Sequence, residues 1–229
     1  MARVVELQNV TKRYGKVTAL QNANLSIETG KIVGLLGPNG SGKTTLMKTI
    51  MRIIREQEGK ILINGYPASY ETRKFISFMP DREFLYDSMK IEDAIKYYQE
   101  MFQDFDLNTA NELCRLLGLN TSDYINTLSK GNKEKAVLML TLSRKVPIYL
   151  LDEPLGSLDP LIKHEMLTVI KRTINSDNTI IISTHLIKDT EEIIDEGVFI
   201  KNGSIITQFD VKSIGKDLES YYLEVFSNV

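Results

Sequence analysis

The chain has 229 residues, with 28 Lys and Arg against 30 Asp and Glu, two His and a formal net charge of −2. That balance excludes a strongly basic nucleic-acid binder, and it leaves no polybasic patch for an anionic membrane surface. At 42% hydrophobic and 25% charged residues, the composition is that of an ordinary soluble globular protein. No stretch approaches the ~18 consecutive apolar residues of a membrane span. The N-terminus lacks the apolar run of a secretory signal. A single cysteine, Cys114, cannot close an internal disulfide, so a reducing cytosol is the expected compartment.

Short β-branched or apolar runs ended by Gly, Asn or Pro predict strands at 3–10, 31–37, 60–65 and 74–79. One helix interrupts them, opening near Gly42 and carrying Leu46, Met47 and Ile50 at helical spacing. From about 88 to 144 the texture becomes helical. Ile91, Ile95, Tyr98 and Phe102 form one stripe, and Leu113, Leu116 and Leu117 form another that Gly118 ends. Residues 132–145 are apolar over most of their length, as in a buried helix. Alternation then resumes: a continuous apolar strand at 147–153, a helix at 161–174, a strand at 179–183 and a short helix near 186–194. Two edge-like strands (197–200 and 204–209) and a terminal helix (217–226) complete the chain. This order predicts one α/β domain over 1–229 with a mostly parallel core sheet. An N-terminal antiparallel portion belongs to the core (1–86 and 146–229), and 87–145 is a helical insertion.

The most informative string is "GLLGPNGSGKTTLMK". Gly37 to Thr44 satisfies G-x-x-x-x-G-K-[ST], follows a predicted strand and opens a predicted helix. Gly37, Gly40 and Gly42 let the backbone turn tightly and approach a ligand with no Cβ in the way. Together with Pro38, Asn39, Ser41 and Thr45, they form a loop whose amides make an electropositive nest for phosphate oxygens. Lys43 neutralises the β- and γ-phosphates in such loops, and the Thr44 hydroxyl ligates Mg²⁺. A nucleoside triphosphate ligand is expected.

The string "IYLLDEPLGSLDP" supplies the second half of the site. Asp152 ends an apolar strand, where a carboxylate reaches Mg²⁺ through water. Glu153 follows on the opposite side of the backbone, where it can take a proton from an attacking water. With these strings in order the chain resembles the nucleotide-binding subunit of an ABC transporter, and the resemblance spans nearly its whole length. "GPNGSGKTT" resembles Walker A, and "IYLLDEP" resembles Walker B with its catalytic glutamate at Glu153. "GSLDP" resembles the D-loop (Ser157, Leu158, Asp159), and "IISTH" ends at a switch histidine, His185. "LSKGN" resembles the signature through Ser129 and Gly131. Tyr14, 29 residues before Lys43, holds the position of an adenine-stacking aromatic.

The resemblance implies a P-loop NTPase (RecA-like) core, ATP and Mg²⁺ as cofactors, and ATP hydrolysis coupled to transport. It also implies a head-to-tail pair, a homodimer or a heterodimer with another ABC ATPase subunit. There Ser129 and the Gly131 amide face the partner's γ-phosphate at a helix N-terminus, and His185 contacts the phosphate and orients the water. It further implies a transmembrane permease partner, a peripheral place on the inner face of the cell membrane, and no nucleic-acid partner. A groove beside the Asp81 loop, near Phe84, Leu85 and Tyr86, is expected to accept a short helix of that permease.

Two motifs depart from the family's commonest pattern. The signature L-S-G-G-Q is here L-S-K-G-N, with Lys130 and Asn132, and its continuation "KEK" matches a variant common in ABC-2-type exporters. At the Q-loop, Asp81 stands where glutamine is usual; its oxygen can still serve the Mg²⁺ side, but it adds a negative charge beside Asp152 and Glu153. The variant and the chain's brevity imply export of a hydrophobic compound, peptide or envelope component. A non-transport ABC ATPase of translation or DNA repair is the alternative, although the two ATPase domains or the long coiled coil usual there are missing. A GTPase would need N-K-x-D, and "NKEK" at 132–135 lacks the aspartate.

Overall fold

The computed structural model describes residues 2–82, 84–156 and 158–227. In chain order the strands are β1 (Arg3–Tyr14), β2 (Val17–Glu28), β3 (Ile32–Leu36), β4 (Glu58–Ile63) and β5 (Tyr66–Pro67). They continue with β6 (Ile76–Met79), β7 (Ile148–Asp152), β8 (Thr179–Thr184), β9 (Glu196–Lys201) and β10 (Ser204–Asp210). The α-helices are α1 (Lys43–Ile50), α2 (Ile91–Met101), α3 (Leu107–Leu116), α4 (Lys130–Leu142), α5 (Pro160–Thr173), α6 (Ile187–Thr190) and α7 (Leu218–Ser227).

The strands form two sheets. One is antiparallel, in the order β2-β1-β4-β5. The other runs β10-β9-β3-β8-β7-β6, parallel from β9 to β6, with β10 antiparallel at its edge. The period of two along the parallel strands divides the core. Val33, Leu35, Ile148, Leu150 and Ile181 face α1 and the antiparallel sheet. Ile32, Leu36, Tyr149, Leu151, Ile180 and Ile182 share a core with α2, α3, α4, α5 and α7. Buried on both faces, these strands have to be continuously apolar, and each fully buried Leu or Ile contributes roughly 1.5–3 kcal/mol. The α/β architecture, with a mostly parallel sheet and an antiparallel N-terminal portion, is the expected one.

Several details differ from the sequence pattern. β2 was not expected, because "QNANLS" carries four polar residues within six. Asn9 and Asn22 sit in left-handed backbone (φ 53° and 47°), where asparagine is tolerated. The register of β1 on β2 shifts between Leu7 and Val10, and the Asn9 amide donates to Asn24 Oδ1 at 3.0 Å. β9 is not an edge strand: it lies between β3 and β10, with Val198, Phe199 and Ile200 fully buried. Leu116 is exposed, and Ala110 and Cys114 complete the buried stripe of α3 with Leu113 and Leu117. The short helix near 186–194 is only the four residues of α6. α4 begins at Lys130, two residues before the expected start, because the Ser129 side chain caps it by accepting from the Asn132 amide.

Arg144, just after α4, ties the segment after α2 to β6. Its guanidinium donates to both Asp104 carboxylate oxygens at 2.8 Å and to the Ile76 carbonyl at 2.9 Å, and it stacks 4.0 Å from the Phe102 ring centroid. Arg144→Ala should lower the unfolding free energy by about 2–4 kcal/mol, because it strands a buried carbonyl and a half-buried carboxylate. Urea denaturation measures it; a loss below about 0.5 kcal/mol would reduce the contact to a surface pair.

Candidate active site

The Gly37–Thr44 loop leaves the end of β3 and enters α1, and its backbone is shaped by close neighbours. A Cβ at Gly42 (φ +111°) would stand 2.6 Å from the Ala19 carbonyl of β2, and one at Gly37 would collide with the Ile200 carbonyl of β9. Gly40 has φ +77° and nothing within 4 Å, so it needs glycine for its backbone and not for space. Pro38, Asn39 and Gly40 are exposed at the crest of the loop. At the start of α1, Gly42 supplies no side-chain cap and the first turn holds no acid, which leaves N–H groups available to an anion. The Ser41 hydroxyl is buried with no hydrogen-bond partner.

Lys43 is buried and donates to the Gly37 carbonyl at 2.8 Å and the Pro38 carbonyl at 3.1 Å. Its ammonium also lies 3.2 Å from Glu153 Oε1. The other Glu153 oxygen is 2.9 Å from His185 Nδ1. The basic loop residue, the catalytic candidate and the switch candidate therefore meet in one cluster. Glu153 does not continue strand alternation: it turns into left-handed backbone at φ +50°, a conformation costing on the order of 1 kcal/mol or more that is held only where the surroundings impose it. Its amide is fixed by the Ser183 carbonyl at 3.1 Å and the Ser183 hydroxyl at 3.0 Å.

Asp152 is almost fully buried at the end of β7. Its Oδ1 accepts from Ser183 Oγ at 2.6 Å and from Thr44 Oγ1 at 3.0 Å. Its Oδ2 is buried with no partner. Burial raises the Asp152 pKa above the usual carboxylate range; the two hydroxyls oppose that, and the charges of Asp81 and Glu153 add to it. Among the described residues no group of three or more His, Cys, Asp or Glu is placed to hold a metal ion. Mg²⁺ in nucleotide sites takes one or two carboxylates and fills its shell from phosphates and water. Asp152, with its orphaned oxygen, and Thr44 fit that demand.

The remaining candidates are more dispersed. Asp81 is exposed and borders a cavity of about 190 Å³ with Lys130, Glu134 and Glu153. Tyr14 is exposed at the end of β1, in the hairpin whose β2 strand reaches Gly42, and Lys12 Nζ lies 5.2 Å from its ring. Thr45 packs within α1 and accepts from Thr49 through its carbonyl. Asp159 is occupied as the N-cap of α5, accepting from the Leu161 and Ile162 amides, with Pro160 at the first turn. Ser157 lies outside the described residues. Ser129 is exposed beside buried Gly131, where a Cβ would strike the Ile162 side chain. Among the described residues no hydrogen bond or ion pair joins either of them to residues 37–45. The "KEK" lysines are structural: Lys133 Nζ is 3.5 Å from Asp87, and Lys135 pairs with Glu165 at 2.5 Å and donates to the Leu117 carbonyl.

A family model described as "ABC transporter" matches residues 20–156. The chain belongs to the ATP-binding subunits of ABC transporters. It is 30% identical over 207 residues to the lantibiotic transport ATP-binding protein SrtF of Streptococcus pyogenes, covering 90% of each chain. A solved structure titled "Structure of ATP binding subunit of ABC transporter" matches with a TM-score of 0.87 at 25% identity, over 97% of this chain and 99% of that one. The dimeric structure of the bacterial ABC transporter cassette MJ0796 shares the fold, with a TM-score of 0.80 at 24% identity over 90% and 98% of the two chains.

Ser183 is the site residue that sequence reasoning missed; its signal was its place in "STH", one strand away from Asp152. As a positioning residue it holds both the Asp152 carboxylate and the Glu153 backbone. Ser183→Ala should lower kcat for ATP hydrolysis about tenfold, the loss of one to two net hydrogen bonds. ATP affinity should be little changed; a large rise in Kd with kcat intact would contradict the assignment.

Proposed function

We propose that this subunit binds Mg²⁺·ATP on the Gly37–Thr45 loop, hydrolyses it at Glu153, and so drives a separate transmembrane permease. The observation that carries this reading is the meeting of Lys43, Glu153 and His185 beside the half-satisfied Asp152 carboxylate. In the mechanism, Lys43 exchanges its loop carbonyls for phosphate oxygens, and the α1 N-terminus and the Ser41 hydroxyl take others. Asp152 and Thr44 would hold Mg²⁺, which when bound neutralises developing phosphate charge. Released from Lys43, Glu153 accepts the proton of a water attacking the γ-phosphorus as the bond to ADP oxygen breaks. His185 holds Glu153 in place from its other oxygen. Asp81 serves the same side, Tyr14 stacks on adenine, and Ser129 and Gly131 present the α4 N-terminus to the ATP of a second ABC ATPase subunit. Asp159 shapes that face by starting α5.

Residues 87–145 act as the helical insertion, and 1–86 with 146–229 as the ATP-binding core. Between them lies a groove of about 1000 Å³ whose lining includes Arg73, Phe78, Phe84, Tyr98, Met101 and Phe102. Of the three residues picked out near the Asp81 loop, Phe84 lines it, Tyr86 is exposed, and Leu85 packs against the core. A short amphipathic helix of the permease suits such a surface. Among the described residues no helix is long and apolar enough to cross a membrane, which suits a subunit held at the inner face of the membrane by its partner. The lantibiotic transport assigned to SrtF supports export of a peptide or other hydrophobic or envelope compound.

Glu153→Gln should bind ATP, reduce hydrolysis at least ~100-fold and accumulate as an ATP-bound dimer on a sizing column. Normal turnover by this variant would remove Glu153 from the base role. Phe84→Ala, assayed with the co-expressed permease, should keep most ATPase activity and lose transport; equal loss of both would make Phe84 a folding residue.

A further inference from the structure

Lys130 is in an unfavourable place for a cation. It is the first residue of α4, a 13-residue helix with no acid in its first turn, so the positive end of the helix acts on it unopposed from within its own element. It is exposed and, among the described residues, makes no ion pair. A carboxylate facing it from another element would offset that cost. The cavity it borders supplies one from the loop after β6: Asp81, exposed and also without an ion pair among the described residues. Glu153 borders the same cavity but is already engaged by Lys43 and His185. Glu134 stands four residues along α4, where a Lys-to-Glu order gives the weaker of the two helical pairings.

We infer that Lys130 is the counter-charge of Asp81: across this cavity its ammonium offsets the carboxylate that Asp81 adds beside the nucleotide site, and so sets nucleotide affinity. The need for it follows from the charges at hand. Asp152 and Glu153 already place two carboxylates where a triphosphate must bind, and Asp81 is close enough for its charge to be felt at Asp152. An uncompensated third carboxylate repels Mg²⁺·ATP, which is itself an anion. Two of the three departures from the common motif pattern thereby become one feature: acid in the loop, base in the signature.

This inference rests on the ATP-binding reading, and the experiment separates the two. Binding of a non-hydrolysable ATP analogue with Mg²⁺ is measured by titration calorimetry on the full chain. The unsubstituted protein is compared with Lys130→Gln, Lys130→Arg, Asp81→Asn and the Asp81→Asn/Lys130→Gln pair; both positions are exposed, so the fold should be retained. Lys130→Gln should weaken binding about 5- to 10-fold at low salt and much less near ~0.5 M salt, where such charges are screened. Lys130→Arg should bind like the unsubstituted protein. Adding Asp81→Asn to Lys130→Gln should restore affinity to within about twofold, a coupling that a helix-capping role for Lys130 does not produce. Independent effects, with the pair equal to the product of the singles, would overturn the inference, as would rescue by Glu134→Gln in place of Asp81→Asn. Failure of the unsubstituted chain to bind the analogue is a different result; it would overturn the ATP-binding reading and this inference with it.

Discussion

Ser183 Oγ makes the contact on which the rest of the site depends. It donates to Asp152 at the end of β7 and accepts from the amide of Glu153, and it does both from the neighbouring strand β8. Thr44, at the start of α1, completes the junction by donating to the same Asp152 oxygen. Three elements far apart in sequence are thus locked at the carboxyl edge of one sheet, where open α/β sheets place their ligands. The lock is buried, and hydrogen bonds in such surroundings cost most when broken. It leaves one Asp152 oxygen without a protein partner, a lone pair open to a cation or a water.

Around this junction the charged groups of the site pair with one another. Lys43 is satisfied by two loop carbonyls and by Glu153, and Glu153 by Lys43 and His185. The loop thus keeps a buried ammonium paired. In the proposed mechanism phosphate oxygens would replace these partners, ion pair for ion pair, so little desolvation would be added. The same exchange would free Glu153 to face water. The backbone strain at Glu153 belongs to this arrangement, since left-handed φ in a non-glycine residue needs its neighbours to hold it.

The parts of this account that were legible in the sequence are those with a fixed local spacing. The loop from Gly37 to Thr44, the Asp152–Glu153 pair and His185 each carry their signal within about ten residues. The parallel strands were legible because burial on both faces leaves only apolar residues in them. β2 was not, since its asparagines make bulges whose cost is met by pairing with β1, a tertiary contact that no local pattern contains. Ser183 was silent because serine at a strand end is common and its value comes from Asp152 across the sheet. Leu116 was misplaced because two faces of a short helix, α3, each carry apolar residues. The role of Asp159 as the cap of α5 was silent because it depends on where that helix starts.

The central claim is that Asp152 and Thr44 await a divalent cation that arrives with ATP. Mn²⁺ in place of Mg²⁺, followed by electron paramagnetic resonance on the full chain, tests this most directly. The account predicts a single tightly held Mn²⁺ per chain when ATP is present, little without it, and loss of that signal in Asp152→Asn. Equal Mn²⁺ binding with and without ATP, or an unchanged signal in Asp152→Asn, would contradict it.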